Sequence, residues 1–386
     1  MNQSTIPLSL YVHWPWCVQK CPYCDFNSHT SGRELVSAYS NALLTDWQRQ
    51  YAVLGAQRPI RSIFFGGGTP SLAPPEVIAQ MIEQVAKVAG VTEDVEITLE
   101  ANPGTVDLAN FAGYFSAGVN RLSLGVQSFD DGLLQKIGRI HDSRQVLQAI
   151  EVAHRVGFRR LNLDLMIGLP SQTMAQALTD IDTAIAISPE HLSLYQLTLE
   201  PNTPFFARPP VGLPDDDLAD DLQMAVHERA RAGGYQQYEV SAWAKSAKQR
   251  SQHNLNYWQF GDYLGVGAGA HGKITLASGG IQRTHTAKTP QAYLNAVQAS
   301  VQTQYLGASV IAEDDLPFEF LLNALRLTDG VDSRLFGDRT GLPLSVLTQR
   351  WDSLVQEGLL VELTQGIRAT DHGYRHLNAV LAKWLD

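Results

Sequence analysis

Cysteine is scarce in this chain, with three residues in 386. An odd count cannot pair off within one molecule, which argues against a disulfide-stapled secreted scaffold. Long apolar runs are also missing. No stretch approaches the roughly 20 residues needed to span a bilayer. No basic segment followed by an apolar run marks a secretory leader. Positive charge is in deficit, and a formal net charge of −10 opposes an electrostatic grip on nucleic-acid phosphates. Low-complexity segments and fixed-period repeats do not occur. These absences predict a cytoplasmic protein with reduced thiols and no nucleic-acid partner. Membrane contact would be peripheral, through another protein.

What is present reads as an ordinary globular chain, 44% apolar and 18% charged. Its length predicts two or three domains. All three cysteines lie in one stretch, at Cys17, Cys21 and Cys24. That spacing has three readings. It puts the thiols on one face of a helix, where free cysteine behaves as a small hydrophobe. It supplies three ligands to zinc, with His13 or His29 nearby as a fourth. Or it holds three corners of a 4Fe-4S cluster, leaving one iron for a ligand that is not a cysteine of this chain. Pro15 and Pro22 disfavour the helix, because proline removes a donor and clashes with the preceding turn. A wrapping loop is expected.

Around this loop, β-type runs alternate with amphipathic helical runs. Strands are expected at Leu8–His13, Ser62–Phe65, Val95–Glu100, Arg121–Val126, Leu161–Ile167 and His191–Leu197. Helices are expected at Glu34–Leu54, from Pro75 to a stop at Gly90, and at Val106–Ala117, Ser143–Val156, Gln172–Ile187 and Asp215–Ala232. Six such units predict a parallel sheet, either open or a whole or partial barrel. Ligands then gather at the carboxyl ends of the strands. The cysteine loop, Gly66–Pro70, Glu100–Pro103, Gln127–Phe129, Gly168–Pro170 and Thr198–Pro201 all follow strand ends. After Tyr238 the regularity fades. A helical unit starts near Asp314, with Leu321, Leu322 and Leu325 on one face, and Gly358–Leu363 reads as a hairpin strand.

The Gly66-Gly67-Gly68-Thr69-Pro70 turn lacks the Lys-Ser/Thr of a P-loop and the GxGxxG of a dinucleotide site. Its glycines either make a tight turn or let backbone approach a ligand. With the three-cysteine run, it resembles the radical S-adenosylmethionine superfamily. Gly125–Phe129 and Asn162–Pro170 narrow the resemblance to the oxygen-independent coproporphyrinogen III oxidase group. The resemblance implies an α/β fold: a partial (β/α)6 barrel with parallel strands plus a smaller, mostly helical C-terminal domain. The implied division is a core over 1–245, a connecting segment over 246–305 and a winged-helix-like unit over 306–386. It also implies a 4Fe-4S cluster on Cys17, Cys21 and Cys24, and an electron donor to that cluster. S-adenosylmethionine would lie on Tyr11, Tyr23, Gly67, Gly68, Thr69, Glu100, Gln127, Arg139, Asp164 and Thr198.

Two departures point away from oxidative decarboxylation of coproporphyrinogen III. Phe26 stands where the oxidase has a fourth cysteine, and only ten residues precede Tyr11. A third motif, His253-Asn254-Leu255-Asn256-Tyr257-Trp258, resembles the haem-chaperone branch of the group. This branch implies haem as ligand and haem-dependent proteins as acceptors, with His253 a candidate haem contact and His271 a lower-ranked one. Otherwise His253 is a packed, hydrogen-bonded histidine. The expected function is haem binding and transfer. The oxidase remains the alternative, and a radical enzyme with another substrate is a third reading.

Overall fold

The computed structural model describes residues 3–54 and 57–385. Its frame is a β/α alternation: β1 (Leu8–Trp14), α1 (Val36–Ala52), β2 (Ile60–Gly67), α2 (Pro75–Val88), β3 (Val91–Ala101) and α3 (Leu108–Ser116). It continues with β4 (Arg121–Gln127), α4 (Asp131–Lys136), α5 (Ser143–Val156), β5 (Arg160–Ile167), α6 (Met174–Ile187) and β6 (His191–Gln196). Then come α7 (Pro204–Ala207), α8 (Asp216–Ala232), β7 (Gln236–Gln237) and β8 (Ala242–Ala244). Strands β1 to β6 pair in sequence order, all parallel. The fold is α/β with an unclosed parallel sheet, as expected.

The helices form where the pattern demands. Tyr39, Leu43, Trp47 and Tyr51 bury one face of α1. Helix α5 starts at a reciprocal Asp142–Gln145 cap and stops at Gly157, whose positive φ suits glycine. Helix α4 has no counterpart in the sequence reading: six residues are too short to show a period.

The segment after Tyr238 extends the same sheet. Helix α9 (Gln252–Trp258) leads into β9 (Asp262–Val266), which lies parallel to β1 on its free side. Strands β10 (His271–Thr275), β11 (Ile281–His285) and β12 (Gly307–Val310) continue antiparallel, with α10 (Pro290–Ala299) packed on α1. Polar interactions lock this arm down. Buried Asp262 takes Arg58 at 2.8 Å and Lys273 at 3.1 Å. Buried Asp46 accepts from the Tyr293 and Tyr305 hydroxyls and the Gly267 amide.

The C-terminal helices are α11 (Leu316–Ala324), α12 (Arg334–Thr340), α13 (Ser345–Gln356), α14 (Asp371–Arg375) and α15 (Leu377–Ala382). They enclose their own core around Phe320, Phe336 and Trp351. Two expectations are corrected here. Leu322 is 41% exposed while Leu321 and Leu325 are buried, because successive helical residues point about 100° apart. Gly358–Leu363 forms no hairpin strand. It makes a single bridge, Leu360 opposite Ala369, and its chain turns at Leu363–Gln365. Among the described residues, no helix is long and apolar enough to cross a membrane.

Candidate functional site

Alternation along the parallel strands builds the site. On β4, Leu122, Leu124 and Val126 point out to the helices and are fully buried there. Arg121, Ser123, Gly125 and Gln127 point inward. On β5 the inward set is Asn162, Asp164 and Met166, and on β6 it is Ser193 and Tyr195. These residues line a cavity of about 460 Å³, within the usual range for a small-molecule site.

The cysteine loop forms one wall of the cavity, and all three thiols line it, none in a disulfide. The loop is irregular, as Pro15 and Pro22 require. The Cys17 amide donates to the His29 carbonyl at 2.9 Å, closing the loop on itself. Thr69 Oγ1 approaches Cys17 Sγ at 3.4 Å, and the Arg139 guanidinium lies 3.6 Å from Cys21 Sγ. Burial pushes the Cys24 thiol up to about 11. Among the described residues, no three Cys, His, Asp or Glu side chains converge to grip a single metal ion.

The glycine turn is shaped chiefly by protein neighbours. A Cβ on Gly67 would meet the His13 ring at 2.5 Å, and one on Gly68 the Trp16 carbonyl at 2.8 Å. The amides of Gly68 and Thr69 are spent on Trp14 and Trp16 carbonyls. Glycine is required there so that the turn can press against the cysteine loop. The same two glycines still face the cavity.

Of the residues expected around S-adenosylmethionine, nine line this one cavity: Tyr23, Gly67, Gly68, Thr69, Glu100, Gln127, Arg139, Asp164 and Thr198. Tyr11 stands one layer behind. Its ring stacks on Phe64, which does line the cavity, and its hydroxyl bonds His13 Nδ1 at 3.0 Å. Arg139 donates to the Gly125 carbonyl at 2.7 Å, and a side chain on Gly125 would crowd it. The Arg139 Nε is buried and unpartnered. Gln127 adopts φ 69, unusual for a non-glycine residue and common where a site imposes its geometry. Burial, then the neighbouring Asp164, pushes Glu100 up to about 8. Burial also raises Asp164, against hydrogen bonds from Asn162 and Ser123.

His253 is elsewhere. Helix α9 packs against β1, β2 and β9, under the amino ends of the strands. His253 is 1% exposed, with its ring stacked on Phe64. Nδ1 bonds Ser62 Oγ at 2.9 Å and Nε2 bonds the Tyr257 hydroxyl at 2.7 Å. A haem iron would have to displace one of these bonds, so His253 is not an open ligand. Burial holds it down at about 3, hence neutral. Only Asn254 of this motif reaches the cavity, at its floor. His271 is exposed on β10 opposite His285 and does not line the cavity.

The sequence reading missed Arg121, Ser123, Asn162, Ser193 and Asn254. Polar residues at every second position of otherwise apolar strands were the available signal for the first four.

Residues 11–184 match the radical SAM superfamily model, and residues 311–376 match the HemN C-terminal domain. The chain is 46% identical over 384 residues to heme chaperone HemW of Haemophilus influenzae, covering 98% of both chains. It is 45% identical over 381 residues to that of Escherichia coli, again with 98% of each covered. The chain belongs to the HemW family of the radical SAM superfamily. Membership of the HemW family implies a 4Fe-4S cluster and S-adenosylmethionine. A bovine relative, radical S-adenosyl methionine domain-containing protein 1, mitochondrial, is 36% identical over 98% of this chain and 87% of its own. In structure, coproporphyrinogen III oxidase (HemN) of E. coli superposes with TM-score 0.81 at 21% identity, covering 98% of this chain and 90% of that one. At that identity the match shows a shared fold.

Proposed function

We propose that this HemW-family chain binds haem and hands it to haem-dependent proteins, using a radical S-adenosylmethionine core. The observation that carries the reading is the cavity itself. Three unpaired thiols share it with nine of the ten residues expected around the sulfonium ligand. The donor set fits the cluster, since soft thiolates beside a guanidinium suit iron–sulfur ligation. Cys17, Cys21 and Cys24 would hold it. When bound, the cluster supplies an electron for reductive cleavage of the sulfonium carbon–sulfur bond, delivered by an external donor.

The chain's own residues do the rest. Arg139 is placed for a carboxylate and Glu100 and Asp164 for ribose hydroxyls. Tyr23, Gln127 and Thr198 close the rim, Gly67, Gly68 and Thr69 border it, and Tyr11 backs the Phe64 wall. The unpaired thiols require a reducing compartment, which we take to be the cytoplasm. HemW-named relatives spanning the whole length support haem as the cargo.

Anaerobic reconstitution tests this directly. We expect iron and labile sulfide in equal number, a spectral response to S-adenosylmethionine, a Soret band on haem titration and transfer to an apo-acceptor. No Soret change and no transfer would overturn the chaperone reading. Product formation from coproporphyrinogen III would move the chain to the oxidase alternative.

A further inference from the structure

Arg121 opens β4, at the end of the strand away from the cysteine loop. It lines the cavity yet is only 3% exposed. Among the described residues its guanidinium donates no hydrogen bond and forms no ion pair. The other buried arginines are engaged. Arg58 holds Asp262 and the Ile6 carbonyl, and Arg339 donates to the Gln259 carbonyl. A guanidinium keeps its charge at any ordinary pH and carries five donors. None of the Arg121 nitrogens is a fully buried unpartnered atom, so they open onto the cavity, where a ligand can meet them.

Three carboxylates surround Arg121, and none closes on it. Glu96 is taken by Arg160 at 2.6 Å and by the Ser251 hydroxyl and His253 amide. Glu100 takes the Gly67 amide, and with its pKa near 8 it is mostly protonated at neutral pH. Asp164 takes Asn162 and Ser123, and burial favours its protonated form too. The facing histidines, His191 and His253, are held neutral by burial. The Tyr238 hydroxyl serves His191 and the Ser251 amide. The floor therefore has a guanidinium with no hydrogen-bonded partner among the described residues, near enough to hold the Glu96 carboxyl below its usual range, with Glu100 able to act as a donor.

Register sets the depth. Ser123 pairs with Glu100 on β3 and Asn162 on β5, and Arg121 is one inward step below. Asn254 enters from α9 beneath. The thiols and Arg139, where the sulfonium carboxylate is proposed to lie, are at the opposite end of the strands. We infer that Arg121 anchors a carboxylate arm of a second ligand, seated beneath S-adenosylmethionine. A carboxylate fits better than a phosphate, because a dianion would force Glu100 and Asp164 against it. Resting on the proposed function, the arm is a propionate of a tetrapyrrole.

The test uses full-length, cluster-loaded protein titrated with haem and with haem dimethyl ester, whose propionates are masked. The Arg121→Gln variant is titrated with both, and Arg121→Lys serves as the conservative control. We expect the wild type to bind haem about tenfold to a hundredfold more tightly than the ester. Arg121→Gln should abolish that preference, and Arg121→Lys should restore part of it. Cluster content and the spectral response to S-adenosylmethionine should stay unchanged in both variants. Thermal melting separates a structural role: Arg121→Lys, which keeps the charge that stabilises the buried Glu96, should melt with the wild type. Equal affinity for haem and its ester in the wild type overturns the inference and leaves the chaperone reading standing. So does a preference retained in Arg121→Gln. A wild type that binds neither overturns both. An Arg121→Lys variant that melts early or loses its cluster would show that Arg121 is structural, which also overturns it.

Discussion

The cysteine loop and helix α9 are both marked by short motifs, and they end in opposite states. The loop leaves three thiols unpaired at a cavity wall, with the buried Arg139 Nε lacking a partner beside them. In α9, both His253 nitrogens have partners, the ring stacks on Phe64, and the backbone amide is held by Glu96. Incomplete bonding at a cavity is what a ligand completes, whereas complete bonding in a core is what packing needs. A motif by itself does not say which of the two it marks.

The largest effect expected on this contrast comes from the thiols. Replacing Cys17, Cys21 or Cys24 by Ala should abolish the 4Fe-4S absorbance and the iron and sulfide content. The stability of the cofactor-free protein should move by under about 1 kcal/mol, because the loop contributes little core. Haem titration of the same variants separates the cluster's role from the haem site.

On the other side, His253→Ala should destabilise the fold by about 2–4 kcal/mol, through two lost hydrogen bonds and a lost ring contact. Haem binding per folded molecule should be unchanged. A loss of haem affinity without loss of stability would erase the contrast. Gly68→Ala tests the seam between the glycine turn and the cysteine loop. Its Cβ would press on the Trp16 carbonyl, costing about 1–3 kcal/mol and lowering cluster retention.

Tyr257→Phe, which removes a single bond to His253, should cost about 1 kcal/mol. A pH series gives a further test. Glu100 in the folded, cofactor-free protein keeps its proton up to about 8, while the unfolded chain releases it near the ordinary carboxylate value. The folded state therefore binds more protons in that window, and stability should decline as pH rises through it. Chemical denaturation from pH 5 to 9 checks this, and Glu100→Gln should flatten the slope.

Much of the fold and of the cavity wall is legible in the amino-acid sequence. The cysteine spacing, the proline-enforced loop and the six strand–helix units are local signals, each set by a few neighbouring residues. The residues expected around the sulfonium ligand were placed by resemblance. The missed residues have a common cause. Arg121 and Ser123 sit on β4, Asn162 on β5 and Ser193 on β6, and none stands out within its own segment. Similarly, the glycine turn reads as ligand-facing when alone, while its Cβ positions are already filled by His13 and Trp16.

The seventh parallel strand was hidden for the same reason. Strand β9 is only five residues long and pairs with β1 across some 250 residues of sequence. Nothing local announces such a partner, because its stability comes from the Asp262 and Asp46 networks.

By itself the sequence determined the period of the fold and the gathering of three thiols in one irregular loop, and by resemblance the branch of the superfamily. Those properties are written in spacing and side-chain type. Only tertiary structure decided that His253 is sealed, that Asn254 reaches the cavity and that Arg121 is left without a hydrogen-bonded partner. Each depends on which distant groups arrive to fill or leave open a hydrogen-bonding position, and burial makes that difference count.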